Sequence, residues 1–169
     1  MSAYIRSDYS LRRLLPEEWP LLKAIRLEAL ATDPSVFGNS LTVESLFPDR
    51  QWLQRLEATQ NAIWGLFFKS KLAGITGIFT NMEDPSEARL TTSFIRAEHR
   101  GKGLASLYYD ARIAWAKERG LQRLVVTHRA GNEASRAANQ RAGFRFTHSE
   151  PRTWPDGTEA DNLFYLLEL

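Results

Sequence analysis

The sequence contains no cysteine, and this absence removes several classes of chemistry. A chain of 169 residues without cysteine has no disulfide, no thiolate ligand for a metal and no cysteine nucleophile. Histidine is scarce as well, because only His99, His128 and His148 occur, and no two of them show a metal-binding spacing. We therefore expect no metal site.

Long apolar runs and an excess of one charge are also absent. No stretch approaches the length of a membrane span, and the first residues do not join a basic segment to an apolar one. The 22 basic side chains nearly balance the 20 acidic ones, which does not favour nucleic acid as a partner. We expect a cytoplasmic protein that binds neither membranes nor nucleic acid.

The residues that are present describe an ordinary globular protein. Hydrophobic residues make up 43% of the chain and charged residues 25%, as in typical soluble domains. A chain of this length can bury a real core, so we expect one domain over residues 1–169.

Strand and helix patterns are mixed along the chain. Short β-prone runs lie at 11–15, 62–68, 72–80, 88–95, 121–127, 144–148 and 162–168, and helices begin near Pro16, Asp49, Leu104 and Gly131. The pattern predicts an α/β protein with a mixed sheet covered by helices. Strands 88–95 and 121–127, joined by a long helix, should be parallel through a right-handed crossover.

The segment from Arg100 to Ala105, RGKGLA, lies between strand 88–95 and that long helix. The first N–H groups of a helix have no internal partner and lie at the positive end of its dipole, so they favour an anion. Gly101 and Gly103 let a diphosphate approach the main chain, and Arg100 and Lys102 add charge. A plain turn with two glycines has a similar sequence, so the segment alone leaves both interpretations open.

Two better-known phosphate motifs fit the segment poorly. A P-loop requires glycine and a hydroxyl residue at the positions held by Arg96 and Gly103. A dinucleotide-binding fold requires an acidic residue about 20 positions downstream, at a strand end. Residues 121–127 contain none.

Two sequence signatures resemble those of the GNAT superfamily, the acyl-CoA-dependent N-acetyltransferases. The first, Arg/Gln-x-x-Gly-x-Gly/Ala, is matched by Arg100, Gly103 and Ala105. The second, Asn-x-x-Ala/Ser before a helix that ends in Gly-Phe, is matched by Asn132, Ser135 and the pair at 143–144. The loop 37–40 and the segment 150–152 also resemble one bacterial branch of the family, so the resemblance covers nearly the whole chain.

The resemblance implies a fold and a cofactor site. The sheet would be twisted, mostly antiparallel and six- to seven-stranded, with helices on both faces and a splayed central parallel pair. Acetyl-CoA would be the co-substrate, its pantetheine arm pairing with the main chain of Ser93, Phe94 and Ile95. The residues expected to bind the rest of the cofactor are Arg100, Gly101, Lys102, Gly103, Leu104, Ala105, Asn132, Ser135 and Asn139.

The reaction implied by the resemblance is direct attack of a neutral amine on the acetyl thioester, with the main-chain N–H of Ile95 as the expected oxyanion donor. Many members carry a tyrosine acid and some a glutamate base at positions that hold Asn139 and Thr127 here. His128 is a candidate base, although it could instead face the helices as a packing residue. Tyr109, on the long helix, is a candidate to reach the site.

The sequence does not identify the acceptor amine, and it leaves a homodimer possible. Residues 31–48 and 149–161 would frame the acceptor site, where Trp154, Asp156 and Glu159 could shape a cavity or contact a cationic amine. Glu44, Glu87 and Tyr165 are further acceptor-side candidates. Two alternatives remain: a non-catalytic acyl-CoA-binding module, favoured by Thr127 and Asn139, and a nucleotide-phosphate binder that uses the same glycine turn.

Overall fold

Eight strands form one sheet in residues 4–169, which are the residues that the computed structural model describes. They are β1 (Tyr4–Arg6), β2 (Tyr9–Arg13), β3 (Asn61–Phe68), β4 (Lys71–Thr80), β5 (Glu87–Ile95), β6 (Arg123–Arg129), β7 (Arg145–Thr153) and β8 (Glu159–Glu168). The spatial order is β1-β2-β3-β4-β5-β6-β8-β7. Only β5 and β6 pair in parallel among these strands, and every other neighbouring pair is antiparallel.

Five α-helices accompany this sheet in the same part of the chain. They are α1 (Trp19–Thr32), α2 (Leu41–Glu44), α3 (Asp49–Glu57), α4 (Ala105–Glu118) and α5 (Glu133–Arg141). None of the helices found in residues 4–169 is both long and apolar enough to cross a bilayer.

The apolar residues form two buried clusters because successive residues of a strand point to opposite faces of a sheet. One cluster joins α1 and α3, through Ile25 and Trp52, to a strand face that includes Phe94. The other joins α4, through Tyr108, to a face that includes Leu124. Helices therefore cover both faces, and the predicted α/β fold with its mostly antiparallel sheet is confirmed.

Three differences between the observed and the predicted elements concern strands β1, β6 and β7. The sheet has eight strands, not six or seven, because the short polar segment Tyr4–Arg6 pairs with β2 as an edge strand. Strand β6 runs on to Arg129, where it still pairs with β8. Strand β7 continues through Pro151, which was predicted as loop. It is an edge strand, where the missing proline N–H can be tolerated.

Candidate active site

The central parallel strands separate after a short paired segment. Strand β5 pairs with β6 only from Glu87 to Arg89, opposite residues 123–125. Beyond that point β5 remains paired with β4 as far as Ile95, and β6 remains paired with β8 as far as Arg129. The two strands therefore diverge toward their carboxyl ends and leave a gap inside the sheet, which confirms the predicted splay.

A β-bulge in β5 accompanies this divergence. The register between β4 and β5 shifts between Ile75 and Gly77, opposite Thr92 and Ser93. Thr92 has a φ of 58°, in the left-handed region that β-branched residues rarely adopt. Ser93 is fixed beside it by a 3.0 Å hydrogen bond between its hydroxyl and that of Thr76. The bulge bends β5 away from β6 while its pairing with β4 continues.

A cavity of about 370 Å³ occupies the gap. Its walls come from both separated strands, from α4 and α5, from the loop around Phe37 and from β7 and β8. The polar and charged side chains in its wall belong to Arg26, Arg89, Thr91, Thr92, Ser93, Tyr109, Arg112, Thr127, His128, Asn132, Ser135, Asn139, Arg152 and Asn162.

Tyr109 and Asn139 connect α4 to α5 at this wall. The Tyr109 hydroxyl donates a 2.6 Å hydrogen bond to Oδ1 of Asn139, while Nδ2 of Asn139 is buried without a partner among residues 4–169. Burial raises the pKa of Tyr109, although the positive charge of Arg112 acts in the opposite direction. A protonated phenol is therefore held where Asn139 replaces the tyrosine seen in many relatives of the family that the sequence resembles.

Arg112 is a buried cation in the same wall that sequence reasoning missed. Its side chain donates to the hydroxyl of Ser93 at 2.9 Å and to the carbonyl of Tyr108 at 3.0 Å. No carboxylate of residues 4–169 forms an ion pair with it, and burial lowers its pKa to about 10. Its position four residues after Tyr108, on the apolar stripe of α4, was the available signal.

His128 also lies at the cavity. Its ring stacks on Tyr165 with the centroids 5.2 Å apart, on the same side of the sheet as Leu124 and the helix α4. It therefore faces the helices and lines the cavity at once. Nδ1 lies 2.9 Å from the carbonyl of Arg129, which can only accept, so Nδ1 carries the proton. Nε2 then bears the lone pair, and it is buried without a partner in residues 4–169.

The opposite end of the cavity is formed by the loop after α1 and by the β7–β8 hairpin. Arg152 donates to the carbonyl of Gly38 at 3.0 Å, and its guanidinium carbon lies 4.7 Å from the ring centroid of Trp154. The indole N–H of Trp154 donates to the carbonyl of Ala160 at 3.0 Å. Trp154 thus shapes the cavity, as one sequence expectation stated.

The acidic candidates of this region are occupied elsewhere. Asp156 pairs with Arg129 at 2.9 Å, and hydrogen bonds from Thr158 and Arg129 hold the pKa of its carboxyl well below the ordinary value. Glu159 accepts from Thr153 at 2.5 Å. Neither acid lines the cavity, so the expectation that they contact a cationic amine is not supported.

Glu44 and Glu87 are engaged in the same way. Glu44 is buried between Arg26, at 2.7 Å, and Arg55, at 3.2 Å. Glu87 lies 3.1 Å from Arg123. Neither carboxylate belongs to the cavity wall, and Tyr165 serves as the stacking partner of His128 rather than as a wall residue.

The glycine turn before α4 has the geometry of an anion cradle. Gly101 and Gly103 have φ values of 72° and 70°, which L side chains rarely adopt. Within residues 4–169, none of the backbone N–H groups from Gly101 to Ala105 has a hydrogen-bond acceptor. A Cβ built on Gly101 would meet no atom within 4 Å. These amides are therefore free to bind an anion at the positive end of the helix.

Arg100 departs from its predicted role in this cradle. Its backbone N–H donates to the carbonyl of Ala97 at 3.1 Å, so this amide is not free for an anion. Its side chain donates to the Ile95 carbonyl and to Asp33, both at 2.6 Å. Arg6, which sequence reasoning missed, supplies a cation instead, because its guanidinium donates to the carbonyl of Gly103 at 2.6 Å.

Ile95 and Phe94 direct their main-chain groups to opposite sides. The N–H of Arg96 donates to the carbonyl of Ala73 at 2.9 Å, and Ile95 lies opposite Gly74. Hydrogen-bonded and non-hydrogen-bonded pairs alternate along an antiparallel ladder, so the main chain of Ile95 points away from β4. Phe94 points toward β4, and its carbonyl also accepts from Tyr108 at 2.9 Å. The predicted pairing of Phe94 with a ligand in the gap is therefore not supported.

Asn132 and Ser135 lie together at the start of α5. Oδ1 of Asn132 accepts from the backbone N–H of Ser135 at 3.1 Å, so the asparagine caps the helix. Both residues line the cavity. The cap leaves the Asn132 amide NH₂ as a donor for a ligand in the gap.

Comparisons with known proteins converge on one family. A sequence model described as the acetyltransferase (GNAT) family matches residues 18–144. No curated protein sequence matches the chain.

Solved structures with the same fold are numerous. A GNAT-family acetyltransferase from Streptococcus pneumoniae superposes with a TM-score of 0.82 at 20% identity, over 95% of this chain and 99% of that one. A protein from Salmonella typhimurium, solved with its cofactor acetyl-CoA, gives 0.81 at 18% identity, over 96% and 95%. A ribosomal-protein-alanine N-acetyltransferase from Brucella melitensis gives 0.78 at 22% identity, over 94% and 99%.

Proposed function

The chain belongs to the acetyltransferase (GNAT) family, and on that premise we propose that it transfers the acetyl group of acetyl-CoA directly to a primary amine. The observation that carries the proposal is the cavity between β5 and β6, whose wall holds a partly buried phenol and an imidazole nitrogen with a free lone pair. Both groups line the same cavity.

The donor fits the residues that are present. The diphosphate rests on the free amides from Gly101 to Ala105, with Arg6 and Lys102 as nearby cations. The pantetheine arm follows β5 past Ile95, whose N–H points away from β4. Asn132 and Ser135 line the other side of its path.

The chemistry requires that the nitrogen lose two protons and that the sulfur gain one. An ammonium acceptor first loses a proton to Nε2 of His128, and the neutral nitrogen attacks the thioester carbonyl carbon. The N–H of Ile95 stabilises the oxygen that becomes negative. The C–N bond forms, the C–S bond breaks and the sulfur takes a proton from Tyr109. His128 passes its first proton to solvent and then takes the second proton of the nitrogen, while Tyr109 regains a proton from solvent.

The test measures thiol release from acetyl-CoA with a panel of amines and peptides. Because the chain contains no cysteine, a thiol reagent detects only the CoA product. Mass spectrometry of the acetylated amine confirms the transfer, and calorimetry measures acetyl-CoA binding separately. Binding without thiol release above background hydrolysis would favour the alternative, a non-catalytic acyl-CoA-binding module, to which Thr127 and Asn139 point.

A further inference from the structure

We infer that the amine acceptor carries an oxyanion group, a carboxylate or a phosphate, which Arg152 binds; this inference rests on the proposed function. Four arginines and one histidine line the cavity, and its wall contains no aspartate or glutamate: Arg26, Arg89, Arg112, Arg152 and His128. Such a wall attracts anions and repels ligands that carry only positive charge.

Arg152 is the cation best placed to receive that group. No carboxylate of residues 4–169 lies within 4.0 Å of its guanidinium as an ion pair. One of its nitrogens donates a 3.0 Å hydrogen bond to the carbonyl of Gly38, so the other N–H donors stay available. A guanidinium presents these donors as a planar fork that matches a carboxylate or phosphate.

The guanidinium is also held in place before any ligand arrives. It lies 4.7 Å from the ring centroid of Trp154, which is buried and anchored through its indole N–H to Ala160. A cation already fixed on an aromatic face loses little side-chain entropy when it binds an anion. The arrangement therefore favours binding over a purely structural role.

The neighbouring Arg26 leaves this end of the cavity with an uncompensated charge. Arg26 and Arg55 share the single carboxylate of Glu44, so two positive charges meet one negative charge. Arg26 also lies over Phe37, with its guanidinium carbon 4.8 Å from the ring centroid. Phe37 and Gly38 are consecutive, so Arg26 and Arg152 flank the same loop.

The nearby acids offset only part of this charge. Glu87 pairs with Arg89 at 3.5 Å as well as with Arg123, and Asp156 pairs with Arg129, so the charge at Arg26 and Arg152 remains. An ammonium acceptor with no anion of its own meets net repulsion when it enters. An acceptor that carries an oxyanion replaces that repulsion with an ion pair at Arg152. Its amine is then oriented toward the gap between β5 and β6.

The experiment compares acceptors that differ only in the anion. Free L-amino acids are measured against their amides, and an aminoalkyl phosphate against the corresponding amino alcohol, with a polyamine as the cationic reference. We expect kcat/KM at least tenfold higher for the anionic member of one pair. The pair that shows the preference distinguishes a carboxylate from a phosphate. The amine of an amino-acid amide is less basic than that of the free amino acid, so a larger fraction of it is neutral and ready to attack. Basicity alone would therefore favour the amide, which is the opposite of the expected preference.

The variant Arg152→Met should raise KM for the anionic acceptor at least tenfold and reduce its preference over the neutral partner toward unity. The acetyl-CoA Kd should stay unchanged, and Arg152→Lys should restore part of the preference. Arg145→Met, an exposed arginine on the same strand that does not line the cavity, is the matched control.

Two outcomes would overturn the inference: neutral amides or polyamines used as well as the anionic acceptors, or an Arg152→Met variant that affects both members of a pair equally. Calorimetry measures binding of the acceptors with CoA present, and it distinguishes failure of the anion site from failure of the enzyme activity. Anion binding that depends on Arg152 without any thiol release would reject the acetyltransferase proposal and support the anion site.

Discussion

The Tyr109 hydroxyl donates a 2.6 Å hydrogen bond to Oδ1 of Asn139, from one helix to the next, at the edge of the gap between β5 and β6. A phenol is thereby present at the wall although the residue on α5 is an asparagine. The proposed acid and the residue that accepts its hydrogen bond come from different helices. A side chain of α4 can therefore serve a site that the sequence of α5 leaves without a titratable group.

Replacing Tyr109 with phenylalanine should lower kcat about 10²- to 10⁴-fold, the range expected when a general acid is lost. The Kd for acetyl-CoA, measured by calorimetry, should change little. Burial raises the pKa of Tyr109 above its ordinary value of 10.0. The wild-type rate should therefore show no loss from this group below that pH.

Tyr4→Phe removes a hydroxyl from the edge strand β1, away from the cavity, and is the control for this measurement. An unchanged kcat in the Tyr109 variant would show that thiolate release needs no acid from the protein.

His128→Gln should lower kcat/KM at least tenfold, because an amide cannot take the proton of an ammonium acceptor. The Kd for acetyl-CoA should change little. His148→Gln changes an exposed histidine on the edge strand β7 and should keep the wild-type kcat/KM. A His128 variant that loses stability but keeps the wild-type kcat/KM would assign the residue to packing.

The glycine cradle can be tested with two substitutions of equal backbone strain. Gly101 and Gly120 have φ values of 72° and 69°, and a Cβ at either would meet no atom within 4 Å. Alanine at either position should cost about 1 kcal/mol of unfolding free energy, the cost of a left-handed residue. Only Gly101→Ala should weaken acetyl-CoA binding, by about tenfold, because its Cβ occupies the space in front of the amides. Equal Kd values in calorimetry would contradict the cradle.

Glu44 should make stability depend on pH in the acidic range. Burial raises the pKa of its carboxyl, but the hydrogen bonds and charges of Arg26 and Arg55 outweigh burial and hold it below the ordinary value of 4.5. Because the folded pKa is the lower one, the stabilisation is complete above pH 4.5 and is lost as the pH falls through the folded pKa.

Glu44→Gln should therefore cost about 3 kcal/mol at pH 7, the range for a broken buried ion pair, and less near pH 3. Urea unfolding at the two pH values measures this difference. Glu133→Gln breaks an exposed i,i+3 pair with Arg136 and should change the free energy by less than about 0.5 kcal/mol. An equal cost at both pH values would show that Glu44 acts through packing.

Local features of the site could be predicted from the sequence, and contacts between distant residues could not. The glycine turn was predicted from six consecutive residues, 100–105, and from the helix that follows them. Arg6 reaches this turn from a strand 97 residues away, and nothing near Arg6 in the sequence indicates it. The ion-pair partners of Asp156 and Glu44 likewise depend on tertiary packing. The sequence therefore does not distinguish a free acid from one that is paired with an arginine.

Main-chain direction was the other property that only the structure provides. Ser93, Phe94 and Ile95 are consecutive in a predicted strand, but which of them faces the gap depends on register with β4 and on the bulge at Thr92. Arg112 could be predicted in part, because the sequence shows a charged residue on the apolar stripe of α4. Its contacts with Ser93 and Tyr108 could not be predicted.

The divergence of β5 from β6 also bears on how the protein would behave without its donor. A sheet normally exposes unpaired N–H and C=O groups only at its outer strands, whereas this one has two facing margins in its middle. A ligand that bridges those margins adds to the unfolding free energy in proportion to the logarithm of its concentration above Kd. The melting temperature should therefore rise with the concentration of CoA around the protein. Amide hydrogen exchange at Ile95 should slow when a ligand fills the gap between β5 and β6.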